Sequence, residues 1–327
     1  MHKLLGAALA ALLVAMQGGI APIAHAQDAS KRWPQRSVRF ILPFGAGSST
    51  DIIARILGER LQTKWDKPVV VENRPGGDGI LSITSFTSSA DDHVFFFAPT
   101  SVYLVHPYTH ATLPYDAARD LAPIVRLSKT VLVQAAPASL SANNLKEFIE
   151  LARAIPGKMN YGQTPGFQEF VFDGFLREQG LSVSKIPYRD IVQASTDLAE
   201  NRIQILGVAY QVVLPQLQAG RVKLLGISDR VRSELSPETP SVAEQGFPTL
   251  ESVSMVGVYG QPSMSLELRK QIAADFLALV ADPAIVSRMK AAGQGMDPAG
   301  PEAFAAAIAE QHAQVVGIAT RLGITRK

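Results

Sequence analysis

Apolar positions along the chain alternate between runs typical of buried strands and spacings typical of helices. An apolar run, interrupted by Arg39, extends from Val38 to Leu42, and the residues after it have a helical spacing at Ile52, Ile53, Ile56, Leu57 and Leu61. The same pattern predicts a strand, a helix and a strand at Val69 to Val71, Ile80 to Ala90 and Val94 to Ala98. Continuous apolar strands that alternate with helices indicate a mainly parallel sheet covered by helices on both faces.

A second series of strands and helices follows and predicts a second lobe of the same kind. It opens with a long β-prone run from Ile124 to Ala135. Further strands are predicted at Met159 to Gly162, Val183 to Pro187, Ile203 to Val208 and Lys223 to Ser228. Helices are predicted at Leu145 to Ala154, through Phe170, Phe175 and Leu176, and at Gln193 to Ala199 and Leu214 to Ala219. The chain therefore contains two similar α/β lobes.

The C-terminal part of the chain predicts one strand and three helices, at Ser254 to Tyr259, Leu266 to Ala281, Pro283 to Ala292 and Pro301 to Leu322. These helices need an apolar sheet to cover. Either they form a bundle of their own, or the chain returns to complete the first lobe, which makes two crossings between the lobes and a hinge. We predict the second arrangement, in which residues 27–125 and 252–327 form domain 1 and residues 126–251 form domain 2.

Two glycine-rich loops follow the first two strands and have a composition suited to binding an anion. The first, Pro43 to Asp51, leads into a helix, and the second is Asn73 to Gly79. At a helix start the backbone N–H groups lack intrahelical partners and the macrodipole is positive, so a carboxylate or phosphate is stabilised there. In α/β sheets ligands bind beyond the carboxyl ends of the strands, where Thr100 and Ser101 would also lie.

The first loop has a second explanation that needs no ligand. Ser49, Thr50 or Asp51 would cap the helix, and the pattern does not separate capping from ligand binding. Two nucleotide motifs are excluded. A Walker motif requires a Lys after its last Gly, and none lies between Gly45 and Asp51. A dinucleotide fingerprint requires a third Gly where Thr50 stands, so no nucleotide phosphate site is expected.

The N-terminus has the pattern of a secretory signal peptide. His2 and Lys3 precede an apolar segment from Leu4 to Met16, and Ala24-His25-Ala26 is a small-x-small cleavage site. We predict that residues 1–26 are a signal peptide cleaved after Ala26. No later segment approaches ~20 uninterrupted apolar residues, so the mature chain is expected to be soluble. An exported chain without cysteine, and hence without disulfides, fits a bacterial periplasm.

Composition argues against several kinds of partner. Lys and Arg number 31 against 29 Asp and Glu, a net charge of +2, so no strong field favours nucleic acid or a membrane surface. An apolar content of 47% over 327 residues is sufficient for two cores. His106 and His110 are four residues apart, but Pro107 and Pro114 argue against a helix there, and no third ligand is visible. No metal site is therefore expected.

Several short motifs occur in an order and at a spacing that resemble those of one protein family. They are Trp33-Pro34, Pro43-Phe44 with Gly47 and Ser49-Thr50-Asp51, Ala54-Arg55, Val71-Glu72-Asn73-Arg74-Pro75-Gly76 with Gly79, Asn160-Tyr161-Gly162, Pro187-Tyr188, Asp197-Leu198, Ala219-Gly220-Arg221 and Thr239-Pro240-Ser241-Val242-Ala243-Glu244-Gln245-Gly246. Over almost the whole mature chain the sequence resembles the periplasmic solute-binding receptors of tripartite tricarboxylate transporters, the Bug family.

The resemblance implies an α/β, two-lobed periplasmic binding protein of type II-like fold. Each lobe would be a mainly parallel sheet covered by helices, with the ligand cleft between the lobes. Such a receptor captures a small carboxylate-bearing or amino-acid-like solute by hinge closure and delivers it to membrane transporter subunits. The resemblance implies no enzymatic activity, no cofactor and a monomer. Presentation of the closed form to a sensor protein is an alternative that the sequence leaves open.

The resemblance also implies which residues contact the ligand. One carboxylate would be held by backbone and small polar groups of the first lobe, while the second lobe sets the rest of the specificity. The implied first-lobe contacts are Phe44, Gly47, Ser48, Ser49, Gly77, Asp78, Thr100 and Ser101. The implied second-lobe contacts are Thr164, Pro165, Gln168, Tyr188 and Val208.

The chain departs from the family pattern at positions that bear on the ligand. Gly77 and Asp78 stand where Ala and Gly are usual, and Thr164 to Glu169 replaces a Ser-rich run. Asp78, Glu169 and Asp190 would oppose a second carboxylate if they faced the cleft, because like charges repel. The sequence therefore predicts a ligand that is not a simple tricarboxylate.

Three residues beside the second-lobe loop have two interpretations each. Arg189 is either a bidentate carboxylate clamp or one half of a surface pair with Asp190, and we favour the surface pair. Asp190 is expected to cap the helix at Ile191 in preference to contacting the ligand. Tyr188 either lines the pocket, which we favour, or packs against the hinge.

A serine hydrolase is the main alternative from another class of protein. Ser48, Ser49 and Ser101 are the candidate nucleophiles, and His93 and His106 the candidate bases. The nucleophile elbow Gly-x-Ser-x-Gly does not occur at these serines, and nothing in the sequence places a base beside them. We therefore expect a binding protein.

Overall fold

Two β-sheets flanked by helices make up the fold in the computed structural model, which describes residues 33–163, 166–188 and 190–327. The predicted signal peptide at 1–26 and the candidate residues Thr164, Pro165 and Arg189 lie outside the described residues. Residues Arg36–Lys327 form one compact unit, and all of the elements below belong to it. Within the described residues, no helix combines the length and the apolar character needed to cross a membrane.

Strands and helices alternate over most of this unit. The strands are β1 (Val38–Leu42), β2 (Val69–Asn73), β3 (Val94–Pro99), β4 (Ala122–Thr130), β5 (Leu132–Pro137), β6 (Met159–Gln163), β7 (Val183–Pro187), β8 (Ile205–Ala209), β9 (Val222–Ile227), β10 (Ser254–Gly260) and β11 (Gln294–Ala299). The helices are α1 (Ser49–Trp65), α2 (Ile80–Thr87), α3 (His106–Thr109), α4 (Ala117–Asp120), α5 (Leu145–Ala154), α6 (Phe167–Glu178), α7 (Ile191–Ala199), α8 (Tyr210–Gln218), α9 (Leu266–Leu279), α10 (Pro283–Ala291) and α11 (Pro301–Leu322). Short 3₁₀ turns lie at Gly77–Gly79, Thr100–Val102 and Pro248–Leu250.

The two sheets have equivalent strand orders, apart from the extra edge strand β11 in the first. The first is β2-β1-β3-β10-β4-β11 and the second is β7-β6-β8-β5-β9. Strand β1 is parallel to β2 and β3, whereas β10 is antiparallel to β3 and β4. Strand β6 is parallel to β7 and β8, whereas β5 is antiparallel to β8 and β9. Four strands of each sheet therefore run in one direction, which confirms two similar α/β lobes. Each sheet is mixed because an antiparallel strand is inserted, and the first sheet also has the antiparallel edge strand β11.

The inserted strands show that the chain crosses twice between the sheets. Strand β5 enters the second sheet directly after β4 of the first, and β10 enters the first sheet after β9 of the second. At the first crossing Val131 alone separates β4 from β5, so the predicted boundary at 125/126 falls inside β4. The uniform β-prone run gives no sign of this crossing. Helices α9 and α11 pack on β4 of the first sheet, while the division into two domains stays a prediction.

Aromatic side chains fill the core of the first lobe around β3. Phe95, Phe96 and Phe97 are fully buried in this central strand. The ring centroid of Phe40 in β1 lies 6.0 Å from that of Phe95 and 5.7 Å from that of Phe97. These distances are within the range of favourable aromatic pairs. The core gives the loops at the strand ends a rigid base.

Two short elements differ from the expectation. The prolines argue against a helix at His106, but α3 forms one turn there with Pro107 in its first turn, where a missing N–H costs no hydrogen bond. That expectation is wrong for this reason. The sequence pattern also does not predict β11, because Gln294 to Ala299 lacks apolar alternation; its Pro298 is tolerated at a sheet edge.

Candidate functional site

The loops that follow β1, β2 and β3 meet at the carboxyl end of the first sheet. Gly79 lies at their junction, because a Cβ there would be 2.4 Å from Val102 Cγ1 and 3.5 Å from Pro43 Cβ. Its φ of +93° also favours glycine. A residue without a side chain thus lets the second loop pack against the other two. The three loops form one surface, on which Gly47 and Gly77 are exposed.

A buried carboxylate joins the first two loops. Asp51 is 2% exposed and accepts hydrogen bonds from the Gly47 N–H at 2.9 Å, from Asn73 Nδ2 at 2.9 Å and from Arg55 Nε at 3.0 Å. Burial raises the pKa of Asp51, but the bonds from Arg55, Gly47 and Asn73 together lower that pKa below its usual value. The sequence motifs contain these residues without revealing that they bond to one another. The network sets the shape of the first loop.

The start of α1 combines a cap with two free amides. Ser48 has the extended backbone of an N-cap, and its Oγ accepts a hydrogen bond from the Asp51 N–H at 3.3 Å. A side chain does cap this helix, as the capping interpretation predicts. The capping residue is Ser48, however, and not Ser49, Thr50 or Asp51. Among the described residues, no acceptor is found for the N–H groups of Ser49 and Thr50. Two such groups at the positive end of a 17-residue helix suit one carboxylate.

Asp78 on the second loop faces a pair of histidines. Its Oδ2 lies 3.5 Å from His110 Nε2, and the ring centroids of His110 and His106 are 5.0 Å apart. His106 is buried and its Nδ1 bonds to the hydroxyl of Tyr115. Burial and the neighbouring His110 lower the pKa of His106 to about 4, and Asp78 opposes this shift. His106 is therefore neutral near pH 7.

A cluster of possible metal ligands lies away from these loops. Within the described part of the chain, Asp91, Asp92 and His93 are the group whose ligand atoms lie close enough together. They precede β3, at the opposite end of that strand from Thr100. Both oxygens of Asp91 already accept hydrogen bonds from Arg36, at 2.7 and 2.8 Å. These three possible metal ligands therefore lie apart from the loop surface at the carboxyl end of the sheet.

The third loop contacts the segment that returns from the second lobe. Thr100 is fully buried, and its Oγ1 accepts a hydrogen bond from the backbone of β10 at 3.2 Å. Ser101 Oγ lies 2.8 Å from Ser254 Oγ. Two residues earlier, Ser252 Oγ donates to Gln168 Oε1 at 3.2 Å. Ser101 and Gln168, which belong to different lobes, therefore contact neighbouring positions of one hinge segment. Of the second-lobe candidates, Thr164 and Pro165 lie outside the described residues.

Tyr188 and Val208 lie in the core of the second lobe. The Tyr188 hydroxyl donates to Asp197 at 2.8 Å, and its ring packs so closely on Gly162 that a Cβ there would be 3.0 Å from Cε2. Burial and the neighbouring Asp197 raise the pKa of Tyr188 to about 12. Val208 in β8 is buried among apolar side chains. These contacts support a packing role for both residues, and their contact with a ligand stays a prediction.

Two of the three acidic residues that would oppose a second carboxylate have other partners. Asp190 accepts a hydrogen bond from the Val192 N–H at 2.8 Å, which confirms the predicted cap of α7. Glu169 accepts a hydrogen bond from Lys185 Nζ at 2.8 Å. The side chain of Asp78 is 70% exposed. Repulsion of a second carboxylate stays a prediction that now rests mainly on Asp78, whose Oδ2 lies 3.5 Å from His110 Nε2.

Two of the three candidate serine nucleophiles, Ser48 and Ser101, have partners that do not suit catalysis. Ser48 Oγ is engaged in capping α1, and Ser101 Oγ is paired with Ser254. In the described residues neither hydroxyl is hydrogen-bonded to a histidine. Nucleophilic activation of serine requires an adjacent general base. For Ser48 and Ser101, the described residues therefore show no serine–histidine pair of the kind that a serine hydrolase uses.

The fold and the site together define a two-lobed solute-binding protein. Residues 53–324 match the family model described as tripartite tricarboxylate transporter family receptor. A UPF0065 protein of Bordetella bronchiseptica is 30% identical over 287 residues, which cover 86% of this chain and 82% of that protein. The chain belongs to the tripartite tricarboxylate transporter receptor family, whose members are periplasmic solute-binding receptors.

Solved structures show the same fold. The R. palustris protein Rpa4515, solved with adipate, has a TM-score of 0.77 and 22% identity, and the match covers 90% of this chain and 99% of that one. MatC from Rhodopseudomonas palustris, solved with bound malate, has a TM-score of 0.72 and 18% identity, with 88% and 99% covered. The two-lobed α/β fold predicted from the sequence is confirmed.

Proposed function

We propose that this receptor captures a small carboxylate-bearing metabolite between its lobes by hinge closure and delivers it to the membrane subunits of a tripartite tricarboxylate-type transporter. The observation that carries the proposal is the pair of N–H groups at Ser49 and Thr50, at the start of α1, for which no acceptor is found among the described residues. The fold neighbours solved with adipate and with malate support the same class of ligand.

The start of α1 supplies enough binding energy for initial capture. A hydrogen bond to a charged group contributes about 1.5–3 kcal/mol, and the positive helix end adds about 0.3–1 kcal/mol. Two such N–H groups therefore support binding in the millimolar range. Contacts from the second lobe after closure would raise the affinity further. No cationic side chain is required at this end of the ligand.

The remaining parts of the proposal follow from family membership and the N-terminal sequence. The receptor works in the periplasm after cleavage behind Ala26, binds its ligand as a monomer and catalyses no reaction. The family model and the lack of a paired base at Ser48 and Ser101 support a binding function. Incubation with ester substrates is expected to give no turnover.

The substitution Ser49→Pro tests the carboxylate site without disturbing the helix. Proline is favoured in the first helical position, and Ser48 already has the φ of −65° and ψ of 157° that a residue before proline requires. The substitution removes one N–H from the proposed site. We expect affinity for a bound carboxylate, measured by calorimetry, to fall about tenfold or more, while stability changes by less than about 1 kcal/mol.

Leu266→Pro is the matched control, because it places proline at the first position of α9 behind an equivalent cap, Ser265. Its affinity for carboxylates should equal that of the wild type. A thermal-shift screen of mono- and dicarboxylates, aromatic acids and amino acids supplies the ligand, since binding to the native state raises the melting temperature. A screen without any shift in melting temperature would contradict the proposal. Undiminished carboxylate binding by Ser49→Pro would show that the carboxylate does not bind at the start of α1.

A further inference from the structure

Three glutamine side chains near the hinge have buried amide atoms without protein partners. Gln134 in β5 is 1% exposed, and Gln163 at the end of β6 is 2% exposed. Within the described residues, no partner is found for Gln134 Oε1, for either amide atom of Gln163, or for Gln168 Nε2. Burying an amide without a partner is unfavourable, and native structures rarely do so. Four such atoms on three glutamines that are linked through the hinge therefore indicate a polar group that binds there.

Two of these glutamines lie side by side on the second sheet. Gln163 in β6 and Gln134 in β5 flank Gly207 in β8, which lies between the two strands. A Cβ on Gly207 would be 2.8 Å from Gln163 Nε2 and 3.3 Å from Gln134 Nε2. The missing side chain of Gly207 gives both amides room on the same face of the sheet.

The hinge joins these two glutamines to the third. Gln134 Nε2 donates to Ser228 Oγ at 3.1 Å. Ser252 donates from its N–H to the Ser228 carbonyl at 3.0 Å and from its Oγ to Gln168 Oε1 at 3.2 Å. Ser252 is two residues from Ser254, the partner of the third first-lobe loop. We call Gln134, Gln163 and Gln168 the glutamine row, and it ends where the two lobes meet.

We propose that the glutamine row binds the far end of the captured carboxylate, and that this end is an uncharged group with both a donor and an acceptor, such as a carboxamide. This inference rests on the proposed function. The free atoms are two carbonyl oxygens and two NH₂ groups, which a carboxamide matches. Turning a glutamine amide over exchanges its donor and acceptor but keeps both. A second carboxylate offers acceptors only and would leave glutamine oxygens facing a negative charge.

Matched ligands test this inference on the mature full-length receptor. Calorimetry compares succinamate, succinate and butyrate, and then the longer series of adipic acid monoamide, adipate and hexanoate. These probes share one carboxylate and differ only at the far end. We expect the monoamide of the better series to bind at least tenfold tighter than both its dicarboxylate and its monocarboxylate.

Substitutions in the glutamine row test whether it is responsible for the preference for the monoamide. Gln163→Leu and Gln163→Met should each lose most of the tenfold preference for the monoamide. Their melting temperatures without ligand should not fall, because the amide they remove has no partner in the part of the protein that the structure describes. Gln245→Leu is the control, since Gln245 is also buried but bonds to the backbone of Leu145 and Leu225. It should lower the melting temperature and leave the preference unchanged.

Two outcomes overturn the inference while the proposed function stands. The first is tighter binding of a dicarboxylate than of its monoamide, and loss of that binding in Arg189→Ala would then assign the far end to a cation. The second is an unchanged preference in both Gln163 variants, because the row would then hold structural water only. Lack of binding by all six probes and by the wider carboxylate screen would instead contradict the proposed function.

Discussion

The side-chain amide of Asn73 donates a hydrogen bond to the buried carboxylate of Asp51 at 2.9 Å and thereby ties the second loop to the first. The same Nδ2 donates to the carbonyl of Phe44, also at 2.9 Å. Arg55 balances the charge of the carboxylate from the next turn of α1. These contacts hold the first loop in one shape, which would reduce the ordering cost of the proposed ligand binding.

Replacing Asp51 by Asn should destabilise the protein in a pH-dependent way. The folded-state pKa of Asp51 is below its usual value, so the stabilisation is fully present above the unfolded pKa of about 3.9 and is lost as pH falls through the folded pKa. We expect Asp51→Asn to cost about 2–3 kcal/mol at pH 7. In urea unfolding, the difference from wild type should be constant from pH 5 to 8 and shrink below about pH 4.

Glu234→Gln is the control for this prediction. Glu234 is paired with Lys290, but its side chain is 80% exposed. Exposed ion pairs contribute little, so this variant should unfold at nearly the same urea concentration as the wild type. Equal losses in the two variants at pH 7 would show that the Asp51 network does not stabilise the first loop.

Gly79→Ala should disturb the junction of the three loops. An added Cβ would collide with Val102 Cγ1 at 2.4 Å and would also adopt an unfavourable φ of +93°. We expect a loss of about 2–4 kcal/mol in the free energy of unfolding, together with weaker carboxylate binding. Gly180→Ala measures the cost of a positive φ without a steric clash, because Gly180 has a φ of +61° and open space around it. It should cost about 1 kcal/mol and leave binding intact. Similar losses in both variants would argue against close packing at Gly79.

The sequence predicts the loops better than it predicts the residues that organise them. Strand, loop and helix follow from local periodicity, and so the positions of the first-lobe loops are predicted correctly. Four consecutive residues from Ser48 to Asp51 are all common caps, and only the backbone angles select Ser48. Gln134 and Gln163 are not predicted as a pair, because strands β6 and β5 become neighbours of β8 only after the chain has crossed between the sheets.

His106 should make the stability of the receptor fall on mild acidification. The unfolded chain binds a proton at this histidine near pH 6.5, whereas in the folded state burial lowers its pKa to about 4. Between these values the unfolded state binds more protons, so stability decreases as pH falls, by at most about 1.4 kcal/mol per pH unit. In His106→Asn this dependence should flatten between pH 6.5 and 4. Parallel profiles for wild type and His106→Asn would show that another group titrates.

Asp78 should set how well the first-lobe loops tolerate a doubly charged ligand. Its carboxylate is exposed on the second loop, which packs against the first loop at Gly79. Repulsion in a partly solvated site is worth about 1 kcal/mol or less. Asp78→Asn should therefore bind succinate or adipate about two- to fivefold tighter at low ionic strength. The fold should be kept, because Asn tolerates the φ of 54° found at this position.

Salt and a second acidic residue separate this effect from a general change in charge. The gain in Asp78→Asn should largely disappear at 1 M NaCl, where the Debye length is about 3 Å. Glu169→Gln removes the same formal charge, but Glu169 is already paired with Lys185 at 2.8 Å, and so its affinity for succinate should not change. An equal gain in the two variants would mean that the net charge of the receptor, and not the position of Asp78, controls the binding of dicarboxylates.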